Sequence, residues 1–98
     1  MEEFKKNEIQ IEIDEVTAQG AYANLAMISH SESEFILDFI FMQPQNPKAR
    51  VRSRIITSPI HAKRILSALK DNVAKYESRF GEIKANILQD DKKIGFYN

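Results

Sequence analysis

The sequence has no cysteine and no tryptophan, and only 3 glycines and 3 prolines. Without cysteine there are no disulfides, thiolate zinc sites, iron–sulfur clusters or cysteine nucleophiles. Gly20, Gly81 and Gly95 are far apart, so no glycine-rich loop exists to cradle a phosphate. Charge of one sign is also missing. Lys+Arg and Asp+Glu are 14 each, for a formal net charge of +0. A uniformly basic coat for nucleic acid and a polybasic membrane anchor are thereby excluded as whole-chain properties. No apolar run approaches the roughly 18 residues of a spanning helix. The acidic start Met1-Glu2-Glu3 is not that of a signal peptide. These absences predict a soluble cytoplasmic protein with no membrane association and no cofactor.

What is present suits one small domain. The chain has 98 residues, 43% hydrophobic and 29% charged, enough apolar material for a packed core. A chain of this size buries a modest fraction of its surface, so a partner subunit helps. Three segments are expected: a flexible N-terminus over 1–7, one α+β domain over 8–84 and a tail over 85–98.

Within the domain, periodicity predicts four strands and a helix. Ile9, Ile11 and Ile13 alternate with Glu8, Gln10, Glu12 and Asp14, a strand with one buried and one wet face. Residues 14–20 form a connection ending at Gly20. Residues 21–29 read as a strand apolar on both sides, and residues 34–42 as a strand carrying Phe35, Leu37, Phe39 and Phe41 on one parity. In the strand over 48–57, Lys48, Arg50, Arg52 and Arg54 share one face, and Ala49, Val51, Ser53 and Ile55 the other. Tight hairpins would bring Phe39 near Val51, Phe35 near Ile55, and Asp38 near Arg52 or Arg54. Ser58 is the expected N-cap and Pro59 the first residue of a helix over 59–80. Ile60, Ile65, Leu66, Leu69, Val73, Tyr76 and Phe80 make its apolar stripe, and Gly81 ends it.

The order β-β-β-β-α predicts an α+β fold of two layers, a four-stranded antiparallel sheet followed by one long helix. One helix covers one sheet face. The other face, with Leu25, Met27, Ile36, Ile40 and Met42, is too apolar for a monomer and predicts a homodimer interface.

Few residues suggest chemistry. His30-Ser31-Glu32-Ser33-Glu34 gathers an imidazole, two hydroxyls and two carboxylates. It lacks a nucleophile elbow, an oxyanion hole and a second histidine at ligand spacing, so no catalytic or metal site is expected. Asn24 sits among apolar residues, where backbone at a strand end can satisfy its amide. The row Lys48, Arg50, Arg52, Arg54 is the sharpest feature. Cations about 6.6 Å apart along a strand can track a phosphate backbone, or can pair with Asp38 and Glu34 on a wet face.

Tyr22-Ala-Asn24-Leu-Ala26-Met-Ile28-Ser-His30-Ser31 continues through Glu34-Phe35 to Asp38-Phe39. This run resembles the signature of a small bacterial and archaeal family, the domain of unknown function DUF3467. The likeness continues through Arg54-Ile55-Ile56-Thr57-Ser58-Pro59, Tyr76-Glu77 and Phe80-Gly81-Glu82-Ile83. The resemblance implies no activity, so no catalytic residue carries over. Strands followed by a long helix are also similar to the SecB export chaperone and to the Pur and Whirly single-strand binders, at the level of fold alone. The expectation is a non-enzymatic homodimeric scaffold for a protein partner or larger assembly. It would present Lys48, Arg50, Arg52, Arg54 and His30. The alternatives are single-stranded nucleic-acid binding through residues 48–54 and chaperone-like binding of unfolded chains.

Overall fold

A computed structural model describes residues 8–85. The N-terminal segment expected over 1–7, and the expected tail beyond Ala85, lie outside the described residues. The chain divides into two compact units between Pro59 and Ile60.

The first unit is an antiparallel sheet in the order β1-β2-β3. Its strands are β1, Leu25–His30, β2, Phe35–Phe41, and β3, Arg50–Thr57. The middle strand holds its core: among the described residues only Ile40, 4% exposed, and Asp38, 3% exposed, are buried. Both sit on β2, where a neighbour on each side shields the backbone and the side-chain roots. In β1 and β3, which have one neighbour each, every residue is half-buried or exposed.

Among the described residues the sheet has three strands, not the four expected. Residues 8–14 form no strand, and Ile9, Ile11 and Ile13 are all exposed. Alternation describes which side chains share a face, but a strand also needs a backbone edge to bond, and among the described residues none pairs with this segment. Its end is set by a local competitor. The Asp14 carboxylate accepts from the Thr17 N–H at 2.7 Å and caps the one-turn helix α1, Glu15–Ala18. Gly20, at φ 78°, then turns the chain in a conformation that glycine adopts readily.

Two local devices fix the hairpins. In the β1–β2 turn the Ser31 hydroxyl accepts from the N–H groups of Ser33 and Glu34, each at 3.3 Å. The Ser31 N–H donates to the Glu34 carbonyl at 2.9 Å. Just before β1, the Asn24 side chain imitates a peptide unit. Its Oδ1 accepts from the Met42 N–H at 2.9 Å and its Nδ2 donates to the Met42 carbonyl at 3.0 Å. The ladder thus gains one rung beyond the strand, and the amide is satisfied by backbone as expected.

The helix α2, Pro59–Phe80, has the bounds expected, and all of it after Pro59 lies in the second unit. Gly81, at φ 102°, donates its N–H to the Glu77 carbonyl at 2.9 Å, a left-handed C-terminal cap. The Glu77 carboxylate turns back to accept from the Ile83 N–H at 3.0 Å. No residue of α2 is buried.

Replacing Asn24 by Ala is expected to destabilise the sheet by about 1 kcal/mol and to accelerate hydrogen exchange at the Met42 amide. Asn24→Asp, which keeps the acceptor, should retain most of that amide's protection. Equal exchange rates in both variants would separate Asn24 from the stability of this rung.

Candidate functional site

The arginine strand is organised by one extra residue. Between Phe35↔Thr57 and Phe39↔Ser53 the β2–β3 pairing is regular, and it then shifts so that Ile40 faces Val51 and Phe41 faces Arg50. Arg52 is the residue left over, which makes a β-bulge. Had the register at Phe41↔Arg50 and Ile40↔Val51 continued without it, Asp38 would lie opposite Ser53, and Arg54 opposite Leu37. With it, Asp38 lies opposite Arg54. The expected pairs Phe39–Val51 and Phe35–Ile55 are also corrected, by a register two residues away that sets Phe39 opposite Ser53 and Phe35 opposite Thr57.

The same shift breaks the expected row of four cations. Residues directly opposite in an antiparallel pair share a face. Arg54 therefore lies with Asp38, and Arg50 lies with Phe41 on the other side. Arg52 occupies the bulge between them. Lys48 precedes β3, and its N–H donates to Asn46 Oδ1 at 3.0 Å. Four charges at even spacing on one face require an unbroken period of two, and the bulge removes it.

Arg54 is committed to Asp38. Its Nε and Nη2 donate to the two carboxylate oxygens at 2.7 and 2.8 Å, a two-pronged pair. Hydrogen bonds from the guanidinium hold the Asp38 carboxyl below its ordinary value against the opposing effect of desolvation, with Arg54's charge adding to the drop. Arg54 is correspondingly raised by hydrogen bonding to Asp38. Arg50 and Arg52, both exposed, make no ion pair with a carboxylate among the described residues.

His30 ends β1 and is exposed, its ring stacked on Phe35 at 5.3 Å between centroids. The Ser31 hydroxyl beside it is engaged by the turn, as given above. Among the described residues no group of three or more His, Cys, Asp or Glu is placed to hold a metal ion. No helix there is long and apolar enough to cross a membrane.

The residues expected at a dimer interface are partly gathered. Leu25↔Ile40, Met27↔Asp38 and Ser29↔Ile36 are register pairs, so Leu25, Met27, Ile36 and Ile40 share the face that carries the Asp38–Arg54 pair. Met42 lies beyond β2 and is tied to Asn24. The expected pairing of Asp38 with Arg52 or Arg54 is met by Arg54, which sets an ion pair on this face with Ile56 and Val51 beside it. The missed feature is the bulge, whose nearest sequence signal is Ser53, a small polar residue in an otherwise bulky strand.

The sign of the pH dependence follows from the lowered Asp38 pKa. A carboxyl whose pKa falls on folding stabilises the fold above its unfolded value, about 3.9, and loses that contribution as pH drops through the folded value. Asp14, lowered by hydrogen bonding from Thr17, acts in the same direction. Resistance to chemical denaturation is therefore expected to fall steeply below about pH 4. Asp38→Asn should be less stable at neutral pH and lose less on acidification. An unchanged acid slope in that variant would remove the pair as its cause.

No curated protein and no solved structure matches the chain. The family model "Protein of unknown function (DUF3467)" matches residues 1–85, and the chain belongs to that family.

Proposed function

We propose that this protein is a non-enzymatic homodimeric scaffold that binds a protein partner along α2. The observation that carries this reading is the apolar surface left open on that helix. Leu66, Leu69, Val73, Tyr76 and Phe80 follow at alternating spacings of three and four, the a and d positions of a heptad seam. Leu69 is 59% exposed and Phe80 67%. A seam of five such residues fits an amphipathic helix from another chain, which would bury them as knobs between its own side chains. Tyr76 and Phe80, with ring centroids 5.0 Å apart, supply the large aromatic contact that anchors such interfaces.

The sheet supplies the self-association in this reading. Exposed apolar side chains recur on it, Ile28, Ile55 and Ile56 among them, and a second copy covers them at no cost in new sequence. Lys48, Arg50 and His30 stand at its margins, where charge and a ring edge orient the second copy. The nucleic-acid reading is weaker, because the bulge leaves no single-face row of cations to follow a phosphate backbone.

Sedimentation of the wild-type protein at low micromolar concentration is expected to give a dimer. Capture from native lysate should retain a protein partner after nuclease treatment, and Leu69→Asp should lose that partner while remaining dimeric. A monomer at these concentrations removes the homodimer. Capture that vanishes with nuclease and weakens steeply with salt moves the function to single-stranded nucleic acid.

A further inference from the structure

Two unused halves of a strand pair lie in this chain. One is the outer edge of β3. With the order β1-β2-β3, it presents the outward backbone groups of an eight-residue strand. Long open edges of this kind are templates for another strand, and folded proteins cover them. The other half is the alternating segment 8–14, in which Ile11 is 90% exposed and no backbone ladder forms.

Their side chains are complementary in one register. An antiparallel pairing that sets Ile11 opposite Ile55 sets Glu12 opposite Arg54 and Asp14 opposite Arg52. Ile9 and Ile13 then fall beside Thr57 and Ser53. The isoleucines extend the face of Phe35, Leu37 and Phe39, which are the partners of Thr57, Ile55 and Ser53. Moving the antiparallel register by two residues sets Arg54 opposite Gln10 or Arg52 opposite Val16, and every parallel register that sets Ile9, Ile11 or Ile13 opposite Ile55 likewise leaves Arg52 or Arg54 without an acidic neighbour. The β1 edge offers no such match, since Leu25–His30 carries no Lys or Arg.

Geometry favours a second copy over the same chain. Asn24 is bonded to Ile40 of β2 and to Met42 just beyond it, on the β1 side of the sheet. The segment before it would have to cross a sheet face to reach its own β3, whereas a neighbouring copy needs no crossing. Exchange is reciprocal, so two copies close on one another without leaving an open end. We infer that residues 8–14 of one copy add a fourth, antiparallel strand to the β3 edge of a second copy, with Ile11 opposite Ile55 and Glu12 opposite Arg54. This inference rests on the homodimer proposed above and names its interface.

The absence of native cysteine makes the test clean. Full-length Ile11→Cys and Ile55→Cys proteins, one enlarged by a tag, are mixed and oxidised. A disulfide joining the two different chains is expected. It should form at least about tenfold faster than with Gln10→Cys, whose side chain points to the opposite face in a strand. Glu12→Lys should weaken the dimer at least about tenfold, since it sets two like charges together. Equal rates for Ile11→Cys and Gln10→Cys overturn the register, as does a Glu12→Lys protein that dimerises as tightly as wild type. A double variant, Ile11→Cys with Ile55→Cys, that closes within one chain at monomer mass overturns the exchange. Wild-type dimers with no cross-link overturn the strand exchange alone, and a wild-type monomer overturns it together with the homodimer.

Discussion

A carboxylate in the middle strand of a sheet has a neighbour on each side and little access to water, so it must be matched by charge or by hydrogen bonds. Asp38 is matched by Arg54 across the β2–β3 ladder, with both oxygens engaged. Much of the sheet follows from this match. Arg54 reaches the correct face only because Arg52 is set aside as a bulge, and that same bulge turns Arg50 to the aromatic side. The ion pair, the broken cation row and the register of β3 are one geometric fact. A one-sided pair of this kind adds little stability when exposed. Its larger effect is on specificity, since a slip of one residue would leave the Asp38 carboxylate facing Ser53.

The sheet's second constraint is its thinness. Among the described residues, three strands leave two edges, and the buried residues are confined to the central strand. The helical unit has the same character, with an apolar seam and no buried residue. Surfaces of this kind are stable in water when another chain covers them. The proposed scaffold assigns one role to each unit. The sheet edge accepts a strand from a second copy, and the helical seam accepts a partner. Neither role needs a reactive side chain, and the local polar groups are engaged in structure. Ser31 closes a turn, Asn24 extends a ladder and Asp14 caps a helix.

Local chemistry was legible wherever the signal was local. Pro59 at the first helical position and Gly81 after the last turn delimit α2, because a missing N–H and a positive φ are properties of single residues. The strand cores around Met27, Leu37 and Ser53 follow from alternation. The pairing of Asp38 with Arg52 or Arg54 was visible as a charge match, but the choice between them was not. A bulge is a property of two strands together, and neither strand's sequence alone contains it. The segment Glu8–Asp14 illustrates the same limit. Its alternation records two faces, and nothing in it records which edge it bonds.

The sequence by itself determined the last three strands and their antiparallel order, though the first of them begins at Leu25 rather than residue 21, the helix and its ends, and membership in the DUF3467 family. These depend on periodicity, on caps and on residue identity in order, all carried by neighbours in the chain. Only the tertiary structure decided that the sheet has three strands, that the arginines divide between faces, and that Arg54 rather than Arg52 takes Asp38. Those outcomes depend on hydrogen-bond register between segments far apart in sequence, where one extra residue reverses the face of every side chain beyond it.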